Sequence, residues 1–465
     1  MSAALPRRVA DAVRGKVRPR AGRGLPPGTR LPAVVQTVMW AVAPVRFGKA
    51  CMRRYGPLFT ARILGFGNVV YVSTPDGIRR ILRDDAGDFD AASANESIRF
   101  VVGEHSLLMS GGAAHTERRK VLMRPLHGNN VAAYIEVMVS IVEQEIRQWP
   151  IGSTVRLLEC FQRVTLEVMI RAVFGITDSF RLTRLRVLVP RLLDVNPVII
   201  LLPAMRRRFG GFGPWAAYQR LLGEVDEIIF AEINERRATL AADPAGRGSD
   251  VLSLLLAKGR DNPSGNPSVT DQELRDHLVT LLAVGQETTA TQLAWFFERV
   301  MRAPGALKHV DAAVLNEDWK VLDAAIHEAI RARPTTLDIG RIATKEWTAD
   351  GYVFPAGTMF AVSLGLLHLS EDLHPEPENY AIDRFYPVEP PSAHFMPFGG
   401  GSHRCLGASL AMIEMRTVIS TILRNVRLRV RQSAPEGVTP KGPMLVPRRG
   451  AEVVVAENHL LTGRE

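Results

Sequence analysis

Thr270-Asp271-Gln272-Glu273 opens the stretch that most restricts the architecture. A threonine followed three residues later by glutamate is a capping box: the hydroxyl and the carboxylate each satisfy a backbone NH left unpaired at a helix start. Apolar residues follow at Leu278, Leu281, Leu282, Leu293 and Phe297, and no proline intervenes before Pro304. The pattern predicts a helix of about 32 residues, roughly 48 Å long at 1.5 Å per residue. A helix that long and that apolar must run through the interior. The rest of the chain has to be built around it.

Upstream, residues 33 to 54 read as helical. Two β runs, Leu58 to Leu64 and Asn68 to Ser73, flank Gly65-Phe66-Gly67, and Thr74-Pro75 starts a short helix. From about Thr116 to Arg302 the pattern is mainly helical, with breaks at Pro150-Ile151-Gly152, Gly210 to Pro214 and Arg260 to Pro267. Another helix stops at Arg333-Pro334. Short strands surround Asp350-Gly351 and Pro355-Ala356-Gly357, His368 to Phe395 is irregular, and a last helix runs from Cys405 to about Arg424.

The three cysteines, Cys51, Cys160 and Cys405, form no disulfide framework, which points to a reducing cytoplasm. Cys51 and Cys160 read as small apolar fillers. No stretch reaches the roughly 18 uninterrupted apolar residues of a membrane span. The net charge of +10 is partly concentrated in residues 1–30, read as a basic, poorly ordered tail before one domain over 31–465. Nucleic acid is the weakest partner for that charge, because no zinc-finger spacing or RNA-binding signature is present. Val198 to Leu202, followed by Arg206-Arg207-Arg208, offers either ordinary helix packing or a peripheral membrane contact.

Phe398-Gly399-Gly400-Gly401-Ser402-His403-Arg404-Cys405-Leu406-Gly407 carries the most chemistry. Glycines let backbone turn tightly against a flat ligand. A cysteine at a helix start meets unpaired NH groups and a dipole that favour a thiolate. The segment lacks the lysine of a phosphate loop. It also lacks the further cysteines of a structural zinc site.

The loop resembles the signature FxxGx(H/R)xCxG of the cytochrome P-450 family, with Phe398, Gly401, His403, Cys405 and Gly407 in place. The resemblance implies a mainly α fold with a small β-rich lobe. It makes Cys405 the proximal ligand of haem b (iron protoporphyrin IX), places His403 near a propionate and packs Phe398 beneath the ring.

Three further elements fit in family order. Glu328-Ala329-Ile330-Arg331 pairs an acid and a base on one helix face. Alone it is an ordinary surface salt bridge, but it resembles the family's ExxR element, which makes Arg384 the third member of a structural triad. Val284-Gly285-Gln286-Glu287-Thr288-Thr289 reads alone as a packing kink. By resemblance to the oxygen-binding groove, Gly285 leaves room for bound O₂, Thr288 donates a hydrogen bond and Glu287 relays protons. Val284 replaces the usual Ala or Gly. His115 and Arg119, four apart, resemble the HxxxR element that grips a propionate, and Arg341 is a further propionate partner by position. Each of these is otherwise a solvated basic residue.

The implied activity is monooxygenation of an apolar small molecule that is lipid-, steroid- or terpenoid-like, by a monomer. Pocket residues by family position come from segments 93–108, 277–288, 335–339 and Met444-Leu445, with Val284, Leu337, Ile339 and Leu445 as named candidates. No flavin domain or iron–sulfur cysteine set is present, so electrons come from a separate ferredoxin or flavodoxin, docked through Arg118, Lys120, Arg124 and Arg404. A peroxygenase, a haem-thiolate isomerase or a haem sensor without turnover remain alternatives.

Overall fold

In a computed structural model of the chain, the described residues are 22–462, apart from 85–86, 124–125, 127–131, 133, 177, 196–198, 200–205, 207–211, 244–249 and 261–268. The chain enters through a two-residue strand β1 (Gly22–Arg23) and helices α1 (Ala33–Val42) and α2 (Pro44–Tyr55). The helix expected over 33–54 is divided, because Pro44 has no NH to donate and can begin a helix but not continue one. Strands β2 (Leu58–Ile63) and β3 (Gly67–Val72) pair antiparallel, with Gly65 and Gly67 at φ of 86° and 74° in the turn. Helix α3 (Pro75–Arg83) is capped by Thr74, whose Oγ1 accepts from Gly77 N at 3.2 Å.

Strand β4 (Phe89–Asp90) returns to a five-stranded sheet of order β2-β3-β8-β5-β4, where β5 is Ile339–Ala343 and β8 is Met359–Val362. Strands β3 and β8 are parallel, and the other neighbours antiparallel. Between β5 and β8, β6 (Trp347–Ala349) pairs with β7 (Tyr352–Phe354), and β1 lies parallel to β7. Hairpin β9 (Val438–Lys441) and β10 (Met444–Pro447) stands apart.

Residues 22–30 of the expected loose tail are attached to the β-rich lobe, beginning with β1. Thr60 N donates to Pro27 O at 3.1 Å and Thr60 Oγ1 to Pro26 O at 2.8 Å. The prolines, which cannot donate, still present carbonyls to the lobe. Residues 1–21 lie outside the described residues, as do Val198, Ile200, Leu201, Leu202, Arg207 and Arg208 of the proposed membrane segment.

The helical body includes α4 (Gly112–Met123), α5 (Leu157–Met169), α6 (Pro214–Ala242), α7 (Asp271–Val300), α8 (Trp319–Ala332) and α9 (Ala408–Asn425). Both halves of the α7 capping box form: Thr270 N donates to Glu273 Oε2 at 2.9 Å, and Glu273 N to Thr270 Oγ1 at 3.2 Å. The 30 residues of α7 span about 45 Å, and Leu274, Leu278, Leu293, Phe296 and Phe297 are buried along it. Helix α5 packs beside it, with Phe161 stacked on Phe297 at 5.7 Å between centroids. The segment Gly401–Asn425 is the one stretch among the described residues long and apolar enough to cross a membrane, and an apolar run of 18 residues within it is 61% buried inside the protein.

Candidate active site

Helix α9 begins at Ala408, not at Cys405, so the cysteine lies in the connection before it. Cys405 N donates to Phe398 O at 2.9 Å and Arg404 N to Gly401 O at 3.2 Å, which closes the loop on itself. A Cβ on Gly401 would lie 1.8 Å from Leu82 O. That glycine is therefore demanded by contact with α3 and by its φ of 65°. Gly407 is different: its φ is −89°, and open space lies where its Cβ would be.

Cys405 is exposed, yet burial is the strongest influence on its thiol and pushes it above the ordinary range. The two facts agree if the sulfur looks into open volume enclosed by protein. The Gly407 NH and the Arg404 and Arg119 guanidiniums pull the other way. The helix start alone thus does not stabilise a thiolate here, because α9 begins too late and burial outweighs it. The charge of a metal would reverse that balance.

His115 and Arg119 share a face of α4 turned toward this loop. The His115 ring lies 3.9 Å from that of His403, centroid to centroid. Burial, then Arg119 and Arg341, push His115 down to about 4. Burial, then His115, Arg341 and Arg119, push His403 down to about 3. Arg341 is buried in β5 and donates to Gly340 O at 2.7 Å. Among the described residues neither Arg119 nor Arg341 forms an ion pair; Asp84 and Asp90 act on Arg341 only from a distance. Two guanidiniums and two rings thus meet at one edge of an accessible sulfur without a carboxylate among them, a donor set that fits an anionic group carrying paired carboxylates.

Helix α7 is buried almost throughout, but Val284 at its middle is 42% exposed, and Ala283, Gly285 and Thr288 are partly so. Open space therefore reaches this helix at its middle. Thr288 Oγ1 donates back to Val284 O at 2.7 Å. Glu287 is buried, and its Oε1 accepts from Gln162 Nε2 on α5 at 2.6 Å and from Lys441 Nζ on β9 at 2.9 Å. Lys441 was not visible as a site residue in the sequence; no local pattern marks it. A Cβ on Gly285 would meet Met169 Sδ and Cε at 2.9 Å. The glycine admits α5.

Glu328 and Arg331 are wholly buried, joined by two hydrogen bonds of 2.7 and 2.8 Å. Arg331 also donates to the carbonyls of His368, Pro377 and Asn379. Arg384 Nε lies 3.4 Å from Glu328 Oε1. The three side chains tie α8 to the irregular stretch that precedes the cysteine loop.

The pocket candidates divide by strand parity. Leu337 is buried, with Cδ1 2.3 Å from where a Cβ on Gly365 would be, and Leu445 is 4% exposed, its carbonyl accepting from Trp295 Nε1 at 2.8 Å. Neither lines open volume. Their neighbours Thr336, exposed, and Met444, partly exposed, do face out and pair in a β-bridge. Ile339 is partly exposed beside Gly399 of the cysteine loop.

Of the expected docking cations, Arg118 lies 3.6 Å from Glu273 and Lys120 2.9 Å from Glu117, so both are already paired, and Arg124 falls outside the described residues. Arg404 is exposed at a surface cleft of about 570 Å³ that also includes His327, Phe395, Phe398, Met412 and Arg416. Cys51 and Cys160 are buried, and burial pushes their thiols up to about 12.

An iron porphyrin carries its carboxylates at one edge and presents its metal to a sulfur from one face. The accessible Cys405 beside an unneutralised cationic edge answers both demands, and the class so defined is that of the haem-thiolate proteins. A family model described as Cytochrome P450 matches residues 25–455, and the chain belongs to the cytochrome P450 family. The Mycobacterium tuberculosis protein named cytochrome P450 135B1 is 37% identical over 442 residues, covering 93% of this chain and 91% of its own length. Another from that organism, cytochrome P450 137, is 32% identical over 455 residues, covering 96% and 94%. The solved structure of a retinoic acid-bound cyanobacterial CYP120A1 matches with a TM-score of 0.77 at 23% identity, over 93% of this chain and 99% of that one, which is agreement in fold. As a member of the family the chain is a haem-thiolate monooxygenase with haem b as its cofactor, using O₂, a substrate and a redox partner.

Proposed function

We propose that Cys405 would ligate the iron of haem b and that His115, Arg119, Arg341 and His403 would hold its propionates. Phe398, Gly401 and Gly407 shape the loop beneath the ring. The observation that carries this reading is the cationic set without a carboxylate partner beside the accessible sulfur. When bound, the haem supplies reductive activation of O₂, from which one oxygen atom passes to the substrate.

The remaining work falls to side chains. Glu287 holds a proton-exchanging carboxylate inside α7. Lys441, 43% exposed, joins that carboxylate to the surface. Thr288 delivers a hydrogen bond to the open volume when its hydroxyl turns from the Val284 carbonyl. Val284, Ile339, Thr336 and Met444 offer mostly apolar lining with one hydroxyl, which suits a lipid-, steroid- or terpenoid-like substrate. A ferredoxin or flavodoxin docks at the cleft beside Arg404. The enzyme works as a cytoplasmic monomer with its catalytic domain over 31–465 and residues 22–30 attached to its β-rich lobe. The Glu328, Arg331 and Arg384 triad braces the cysteine loop.

Reduced holoprotein exposed to carbon monoxide should show the red-shifted Soret band of thiolate-ligated haem, and Cys405→Ala should lose it. Retention of that band in the variant would overturn the assignment. Product formation should require both O₂ and reductase. Arg404→Glu should raise the apparent KM for the electron donor, and unchanged reduction kinetics would remove the docking site.

A further inference from the structure

The hairpin of β9 and β10 is anchored on one strand and tethered from the other. Leu445 N donates to Thr335 O at 2.8 Å, and Leu445 O accepts from Trp295 Nε1 on α7 at 2.8 Å, so β10 is fixed to the helical body near its start. Met444, the residue before that anchor, is bridged to Thr336 and partly exposed. Across the turn stands Lys441, the ladder partner of Met444. Directly opposed residues of an antiparallel pair project from one face, with Cβ atoms about 4.5–5.5 Å apart. The methionine chain and the lysine stem therefore lie side by side. One borders the pocket proposed above, and the other ends on Glu287 Oε1 at 2.9 Å.

The tip is built to yield. Pro440 and Pro447 have no NH to donate to the two-stranded ladder. Among the described residues Lys441–Glu287 is the one ion pair that joins the hairpin to α7. Lys441 is 43% exposed, so the pair is weak enough for an apolar occupant to open it. Methionine is unbranched and adapts to whatever packs on it. A ligand shifts such an equilibrium only through contacts that differ between the two states. Contact with a displaced Met444 supplies that difference.

We propose that Met444 and Lys441 are positioning residues that tie the proton supply from Glu287 to an occupied pocket. With the pocket empty, Lys441 and Gln162 both hold the carboxylate through Oε1. In that state the acid is joined to the surface and reloads. An apolar substrate packed on Met444 displaces the hairpin tip and withdraws the ammonium. Glu287 then keeps Gln162 alone and turns toward the adjacent Thr288, where it gives up its proton. The inference rests on the pocket and the acid role proposed above.

Coupling of this kind is reciprocal: if an occupant opens the pair, removing the pair must tighten the occupant. Two azoles test it in the full-length holoprotein, with dissociation constants read from the Soret shift. Imidazole needs only the space beside the iron, whereas clotrimazole carries three aryl rings that must fill the pocket. Lys441→Met should tighten clotrimazole about two- to fivefold, the range of an exposed ion pair, and leave imidazole unchanged. Lys441→Arg should keep the wild-type constant for clotrimazole. In a Met444→Ala background, Lys441→Met should change neither constant. No gain for clotrimazole, an equal gain for both azoles, or a gain that persists without Met444 would each overturn the inference. So would a wild-type protein that binds imidazole but not clotrimazole. A Soret band that ignores imidazole would instead strike the haem assignment, and this inference with it.

Discussion

Lys441 Nζ lies 2.9 Å from Glu287 Oε1, so a surface hairpin is fastened by an ion pair to the middle of the central helix. The same oxygen accepts from Gln162 at 2.6 Å. The acid is thus held from two sides by elements far apart in sequence.

Glu287→Gln should lower turnover by about 10²- to 10⁴-fold, the range for removing a general acid or base, and raise peroxide released per electron pair consumed. Lys441→Met keeps the carboxylate and its Gln162 bond, so its loss should be smaller. Its effect on melting should be slight, because a lysine 43% exposed contributes little as a salt bridge. Turnover and the peroxide-to-product ratio of both variants decide the matter.

Gly285→Ala should destabilise the fold by about 1–3 kcal/mol, since the new methyl overlaps Met169. Combining it with Met169→Ala should recover part of that loss. Thermal melting of the two single variants and the double one forms the cycle. Additive losses would show that the two residues do not meet.

Glu328→Gln or Arg331→Lys should cost about 3–5 kcal/mol, as breaking a fully buried pair strands the other charge. The lysine cannot reproduce the fork that reaches Glu328 and three carbonyls at once. Denaturation midpoints measure the cost, and variants as stable as wild type would contradict the geometry.

Acid should weaken the protein through its buried histidines. Burial first pushes His277 and His374 down to about 4 and His368 to about 3. Below about 6.5 the unfolded chain takes up protons that these native rings refuse, so stability present at neutral pH is lost as pH falls from there toward 4. Each histidine contributes a slope of about 1.4 kcal/mol per pH unit. Around His277 the charged groups are Arg118, Glu273, Asp276 and His105. His277→Gln should make the dependence of melting temperature on pH shallower across that window; an unchanged slope would mean that the ring titrates normally.

The sequence made local patterns legible. The α7 capping box, the Glu328 and Arg331 spacing and the cysteine loop each declare themselves within ten residues or fewer, because helix periodicity and turn chemistry are local. What stayed hidden depends on approach between distant segments. Nothing near Gly285 announces Met169, nothing near Gly401 announces Leu82, and nothing near Lys441 announces Glu287. Of the named lining candidates Leu337 and Leu445 are buried, whereas Thr336 and Met444 of the same segments hold the outward positions. Side chains alternate along a strand, and which parity faces the core is settled by the partner, here Gly365 and Trp295.

Arg119 and Arg341 stand beside the neutral rings of His115 and His403, and among the described residues neither guanidinium forms an ion pair. The desolvation of these two guanidiniums is a standing penalty on the empty protein, which the porphyrin's carboxylates would relieve. A ligand that binds only the native state shifts folding by mass action. The abundance of correctly folded enzyme in a cell should therefore follow porphyrin and iron supply even when synthesis of the polypeptide stays constant.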